Sequence, residues 1–232
     1  MKKLKPIFEK YGLNLTQEQE AKFKKYFDHL VETNKYMNLT AITEEDEVVV
    51  KHFLDSVLPQ KLFEKNAKVI DVGSGAGFPA IPLKIFREDL NVCMLDSLNK
   101  RVKFLNEVVE KLNLKFATAI HSRAEDFAKE KRESFDVATA RAVASLDTLV
   151  EYLLPFVKVG GCAIIYKATK VDEEILLAKK AIETLGGKLE AVENFKIEEL
   201  GLERNIIIIR KTSKTPLKFP RGKNLPKTQP IR

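Results

Sequence analysis

The chain has 232 residues, 44% hydrophobic and 31% charged, with 40 Lys and Arg against 33 Asp and Glu for a formal net charge of +7. That composition can bury a core, and it excludes general disorder, collagen-like repeats and, with only Cys93 and Cys162, a disulfide scaffold. No apolar run approaches the roughly 18 residues that span a bilayer, and Met1-Lys2-Lys3 opens no signal peptide, so a soluble cytoplasmic monomer is expected.

Residues 1–65 read as a helical extension. Thr16 with Gln19 has capping-box spacing, and Phe23, Tyr26, Phe27, Leu30 and Val31 then recur at helical intervals. Thr43-Glu44-Glu45-Asp46 places acids in the first turn of another helix, where the dipole favours them. Its apolar side carries Val49, Phe53, Val57 and Leu58. His52, Asp55 and Ser56 share one face of that helix and are expected to fix the extension against the core. A hydrolase triad is excluded, because three groups on one helix cannot surround a substrate and no nucleophile elbow is present.

Residues 66–210 alternate in type. Strands are expected at 68–72, 92–95, 116–120, 135–139 and 162–166, and helices at 79–86, 100–112, 145–156 and 173–185. Segments 188–195 and 206–210 can close the sheet as an antiparallel pair. The order predicts an α/β fold, a doubly wound, mainly parallel seven-stranded sheet with helices on both faces. Ligands then sit beyond the carboxyl ends of the strands, on a rim shared by the loops after Asp71, Leu95, His121 and Ala140. Residues 211–232 carry Lys211, Lys214, Lys218, Arg221, Lys223, Lys227 and Arg232 and no acid, so the body is neutral and the basic excess sits in the tail. A flexible, proline-punctuated basic tail suits RNA, DNA or an acidic membrane, or is a solubilising terminus.

The loop after the first strand narrows the cofactor. It reads Asp71-Val72-Gly73-Ser74-Gly75-Ala76-Gly77-Phe78-Pro79, where alternating glycines admit left-handed backbone and close ligand approach. The dinucleotide fingerprint needs glycine where this chain has Phe78, and no Gly-Lys-Ser/Thr phosphate loop exists. Asp96 ends the second strand, where a carboxylate can accept ribose hydroxyls. A glycine loop with acids and no pyrophosphate platform suits S-adenosylmethionine, with Asp71 toward the methionine end and Asp96 toward the ribose. A strand-end hydrogen bond for Asp71 and a solvated turn for Asp96 are the alternatives.

Segments 71–82 and 96–105, Arg123-Ala124-Glu125 and Ala140-Arg141-Ala142 resemble the RsmG (GidB) family of 16S ribosomal RNA methyltransferases. Asn38-Leu39-Thr40, His52-Phe53-Leu54-Asp55-Ser56 and the tail residues Arg221-Gly222, Pro226-Lys227 and Pro230 fit the same pattern. Ala80 departs from the family's usual glycine. The resemblance implies a class I, Rossmann-like methyltransferase that uses S-adenosylmethionine on N7 of a guanine in 16S ribosomal RNA of the small subunit. It also implies cofactor contacts at Gly73, Phe78, Ala124, Glu125 and Arg141, beside Asp71, Gly75, Gly77 and Asp96 of the loop reading.

The chemistry agrees. Guanine N7 carries a lone pair and no proton, so attack on a methylsulfonium needs alignment and no general base. Thr139-Ala140-Arg141-Ala142-Val143 is not the motif of exocyclic-amine methyltransferases, and no cysteine stands there for covalent attack at cytosine. Ribose and other ring positions stay open on chemistry alone. Arg141 is the expected catalytic residue, binding a substrate phosphate or a carboxylate of the site; an ion pair with Glu125 is its structural alternative. Ala124 can read adenine through its main chain. Lys100, Arg101, Arg221, Lys223 and Lys227 are candidate RNA contacts. No metal spacing links His29, His52 and His121. An RNA-binding or ribosome-assembly factor with a methyltransferase-like fold is the rival reading, and a small-molecule methyltransferase leaves the tail unexplained.

Overall fold

The structure is a computed structural model that describes residues 1–141, 144–168 and 171–231, and for Leu200 and Leu202 the backbone alone. Ala142 and Val143 of the segment quoted above, and Arg232 of the tail, lie outside the described residues.

The extension opens with α1 (Leu4–Lys10) and α2 (Gln17–Met37). Thr16 caps α2 as its spacing predicts: Gln19 N–H donates to Thr16 Oγ1 at 3.2 Å, and Thr16 N–H to Gln19 Oε1 at 3.0 Å. The expected second helix is instead three pieces, α3 (Glu45–Val48), a π-helical turn (Val49–Leu54) and α4 (Asp55–Val57). Such wide turns recur where a helix serves a site. Here the turn lies against the sheet, and its Lys51 carbonyl accepts from Arg141 at 3.1 Å.

The alternating segment then runs β1 (Lys68–Val72), α5 (Ala80–Phe86), β2 (Asn91–Asp96), α6 (Asn99–Lys111), β3 (Ala117–His121), α7 (Ala124–Glu130), β4 (Phe135–Arg141), α8 (Leu146–Leu153), β5 (Val157–Lys167), α9 (Val171–Thr184), β6 (Gly187–Ile197) and β7 (Leu202–Lys211). The seven strands lie in the order β3-β2-β1-β4-β5-β7-β6. β1 to β5 pair in parallel, and β7 runs antiparallel between β5 and β6. The order reverses between β1 and β4, which makes the loops after Val72 and Arg141 the edges of the switch-point crevice.

Successive strand residues face opposite sides, so buried strands feed two cores. Val69, Met94, Val137, Ile164 and Ile206 join one cluster with Phe8, Phe23, Tyr26 and Phe53 of the extension and with α5 and α6. Ile70, Leu95, Ala138, Ile165 and Ile207 join the other, beneath α7, α8 and α9. The extension therefore covers a sheet face.

The tail is docked, contrary to the expectation of a flexible segment. Two of its cations find buried partners: Lys211, 1% exposed, donates to the Leu154 carbonyl at 2.7 Å and to Thr215, and Arg221 pairs with Glu151. Arg132 donates to the carbonyls of Thr215, Pro216 and Phe219. A short α10 (Leu225–Thr228) packs on α8, where Thr148 Oγ1 donates to the Pro226 carbonyl at 3.1 Å.

Candidate active site

The glycine loop leaves β1 because its backbone turns through left-handed conformations, with φ of 77°, 60° and 99° at Gly73, Gly75 and Gly77. Gly73 N–H donates to the Leu95 carbonyl at 2.7 Å, tying the loop to the end of β2. Asp96 completes the tie. Its carboxylate accepts from Gly75 N–H and Leu98 N–H, each at 2.9 Å, with Arg101 Nη1 at 3.5 Å. Gly77 plays a different part from its neighbours: a Cβ there would meet Ile81 at 2.6 Å and the Tyr26 hydroxyl at 2.9 Å. It permits helix and extension to pack beneath the loop, and it lines neither cavity described next.

Two adjoining cavities open at the rim. The inner one is lined by Gly73, Asp96, Ser122, Ala124, Glu125 and Tyr152. The outer one is lined by Thr40, Gly75, Phe78, Asp96, Arg101 and Arg141. Gly73, Asp96 and Ser97 belong to both, so one elongated ligand can lie across the loop. The loop thus brings together the expected residues Gly73, Gly75, Phe78, Asp96, Arg101, Ala124, Glu125 and Arg141. Lys100 lines neither cavity; its Nζ donates to the Met37 carbonyl at 3.2 Å.

Asp71 lies under the loop, fully buried, with both carboxylate oxygens lacking a hydrogen-bond partner. The Ser74 hydroxyl donates to its backbone carbonyl instead, at 3.0 Å. Burial pushes the carboxyl up to about 7, against the opposing pulls of the nearby Ser74 hydroxyl, the Arg141 charge and the Ala80 N–H. A buried acid without a donor is costly, and a cation or an ammonium group placed beside it relieves that cost.

Arg141 ends β4 and is held on four sides. Its Nη1 donates to Asp55 Oδ2 at 2.8 Å and to the Lys51 carbonyl, Nη2 reaches His52 Nδ1 at 3.2 Å, and the guanidinium lies 5.0 Å from the Phe78 ring centroid. Asp55, 2% exposed, also accepts from Arg204 Nε of β7 at 2.9 Å. Glu125, the acid of the structural alternative for Arg141, is instead 3.3 Å from Arg123, because α7 turns it into the inner cavity. His52 stacks on Phe78 with centroids 4.3 Å apart, and its Nε2 meets Thr40 Oγ1 at 2.9 Å. His52 Nδ1 also lies 3.1 Å from the Lys51 carbonyl, so the ring is held on both of its nitrogens. Burial, reinforced by the Arg141 charge, lowers its pKa to about 3.

The extension therefore supplies Thr40, His52 and Asp55, which the sequence reading left outside the site. Their signal was present in the run His52-Phe53-Leu54-Asp55, whose polar members recur on one helical face amid apolar ones. Tyr152, Ser122 and Arg204 carry no comparable signal. Of the tail cations, Lys223 and Lys227 are exposed, while Arg221 is committed to Glu151. No group of acids, histidines and cysteines among the described residues could hold a metal ion, and no described helix is long and apolar enough to cross a membrane.

The family model described as rRNA small subunit methyltransferase G matches residues 19–207. A ribosomal RNA small subunit methyltransferase G of Acetivibrio thermocellus is 49% identical over 95% of this chain and 92% of its own length. One from Clostridium botulinum is 50% identical over 95% and 94%. Among solved structures, M. jannaschii TYW2 in complex with AdoMet superposes with a TM-score of 0.54 at 18% identity, over 74% of this chain and 79% of that one. P. horikoshii TYW2 in complex with MeSAdo gives 0.55 at 17%, over 68% and 62%. At those identities the structures show the fold alone.

Proposed function

The chain belongs to the rRNA small subunit methyltransferase G family, and from that premise we propose that it methylates N7 of a guanine in 16S ribosomal RNA with S-adenosylmethionine as donor. When bound, S-adenosylmethionine supplies an electrophilic methyl group on a sulfonium centre. The residues present fit it. Glu125, Ala124 and Tyr152 would hold the adenine, Asp96 the ribose, and the orphaned carboxylate of Asp71, beneath the loop and lining neither cavity, would favour the cationic methionine end through its charge. Residues 1–65 act as a cover that carries part of the site, 66–210 as the transferase core and 211–232 as the basic segment. A ribosomal RNA substrate implies action in the cytoplasm, and no partner subunit is needed to complete the crevice.

One observation supports an acceptor that needs no base, such as the N7 implied by the family resemblance. Among the described residues lining the outer cavity, none is poised to take a proton. Asp96 accepts two backbone N–H groups, and Arg101 and Arg141 are cations. His52, behind Arg141, has both ring nitrogens engaged. An acceptor that reacts through a lone pair, as guanine N7 would, asks no residue of this crevice to take a proton. The site's task is then alignment on the wall of Phe78 and Arg141, with water excluded by the extension.

The test is methylation of naked 16S ribosomal RNA and of assembled small subunits in vitro, followed by nucleoside mass spectrometry. The expected product is 7-methylguanosine. Methylation of a ribose or an exocyclic amine would overturn the N7 assignment, and no methylation of either substrate would favour the RNA-binding factor.

A further inference from the structure

The docked tail follows a direction. β7 is antiparallel to β5, so Lys211 leaves the sheet at the end opposite the rim. From there the tail climbs α8 by three contacts: Lys211 on the Leu154 carbonyl, Arg221 on Glu151, and the Pro226 carbonyl on Thr148. Leu154 to Thr148 is about two helical turns, roughly 9 Å of rise, toward the end of α8 that follows the carboxyl end of β4. That end is at the rim, where Lys167, the last residue of β5, donates to the Ala144 carbonyl at 2.7 Å.

The central contact is built as a latch. Glu151 is fully buried and accepts from Arg221 through its backbone N–H at 2.8 Å, Nε at 2.9 Å and Nη2 at 2.6 Å. Nη2 also donates to the Gln229 carbonyl at 2.8 Å, closing residues 221–229 into a loop. A guanidinium so engaged has little left for a phosphate. Lys223 and Lys227 lie within that loop and are exposed. On the other side of the glycine loop, after β2, stand Lys100 and Arg101 at the start of α6.

We propose that the tail is a fixed arm, latched by Arg221 on Glu151, that presents Lys223 and Lys227 to phosphates of the substrate RNA on the α8 side of the crevice. This rests on the ribosomal RNA reading above, and it makes Arg221 a positioning residue where the sequence suggested an RNA contact. The arm and the Lys100–Arg101 pair bracket the crevice, so the strand around the acceptor is gripped on both sides of the methylated base.

The experiment is a salt titration of 16S ribosomal RNA binding by the full chain, beside a cofactor titration and RNA-dependent kinetics. The Lys223→Ala, Lys227→Ala pair should lower the slope of log affinity against log salt by about 1.4, at roughly 0.7 per lost phosphate contact. KM for RNA should rise, with kcat and cofactor affinity unchanged. Glu151→Gln separates the readings further. Removing a negative charge should, on net charge alone, tighten binding to a polyanion. A released latch predicts the opposite, a loss of slope like that of the lysine pair, with new tryptic cleavage between residues 218 and 227. The lysine pair with the parental slope overturns the arm, and Glu151→Gln with parental or tighter RNA binding overturns the latch. Both lysines are exposed, so the pair stands as the test where Glu151→Gln fails to fold. A parent enzyme that methylates no ribosomal RNA fails the functional reading instead.

Discussion

Replacing Asp55 with alanine removes the carboxylate that Arg141 and Arg204 share. Asp55 is 2% exposed, and the two guanidiniums are 13% and 24% exposed at 2.8 and 2.9 Å, so neither can turn fully into water. Breaking a buried ion pair by deleting one partner costs about 3–5 kcal/mol. The arginines keep some solvent, which argues for the low end, about 3 kcal/mol. For a chain of this size each kcal/mol moves the melting temperature by about 2–4 °C, so the expected fall is roughly 6–12 °C. Asp55→Asn keeps one acceptor and loses the charge, and should fall between parent and Asp55→Ala. Both variants should lose kcat, since Arg141 is left with only the Lys51 carbonyl and His52 on that side. The assay is thermal unfolding by circular dichroism without cofactor, repeated at about 1 M salt, where the difference should persist because buried charges are poorly screened. A melting temperature within 2 °C of parent, roughly 1 kcal/mol or less, would refute the reasoning.

Gly75→Val should abolish S-adenosylmethionine binding with the fold retained, because a Cβ there meets only the Gly73 carbonyl at 3.9 Å but a β-branched residue resists φ of 60°; undiminished binding by calorimetry would remove the loop from the cofactor site. Asp96→Ala should weaken cofactor binding by about 1.5–3 kcal/mol, the range for hydrogen bonds to a charged group, read in the same titration. Asp71, raised to about 7 in the fold, favours the folded state while protonated, so its contribution is complete below about pH 4 and is lost as pH rises to 7. Unfolding of Asp71→Asn should lack that decline, and parent enzyme at pH 6 should release a proton on binding S-adenosylmethionine; identical pH dependence in both proteins would contradict the assignment.

Where local spacing determines structure, the sequence was readable. The Thr16–Gln19 cap, the glycine loop and the alternation of strand and helix all rest on neighbours within a few residues, and the seven strands were found for that reason. β5 was expected at 162–166 and begins at Val157, because Lys158, Val159 and Gly160 are exposed and show no alternation. The family resemblance named Arg141, but its partner was missed. Asp55 lies 86 residues away, and only the folding of the extension onto the sheet brings the pair together. Tail composition suggested a run of solvated cations, whereas Lys211 answers the Leu154 carbonyl and Arg221 the buried Glu151, on elements that composition does not reveal.

The shared core of extension and sheet bears on the order in which the chain can fold. Residues 1–62 leave the ribosome first, with Phe8, Phe23, Tyr26 and Phe53 turned toward a surface that does not yet exist. Their partners include Ile164 of β5 and Ile206 of β7, more than 100 residues later. Early helices of such a chain stay in exchange with solvent until most of the sheet has been synthesised. The Tyr26 hydroxyl donates to the Ala76 carbonyl of the glycine loop, and Asp55 waits for Arg141 and Arg204. The cofactor crevice is thus a late product of assembly. Until β7 is made, Asp55 has only one of the two arginines that share its carboxylate, and the wall that Arg141 forms is not yet fully braced.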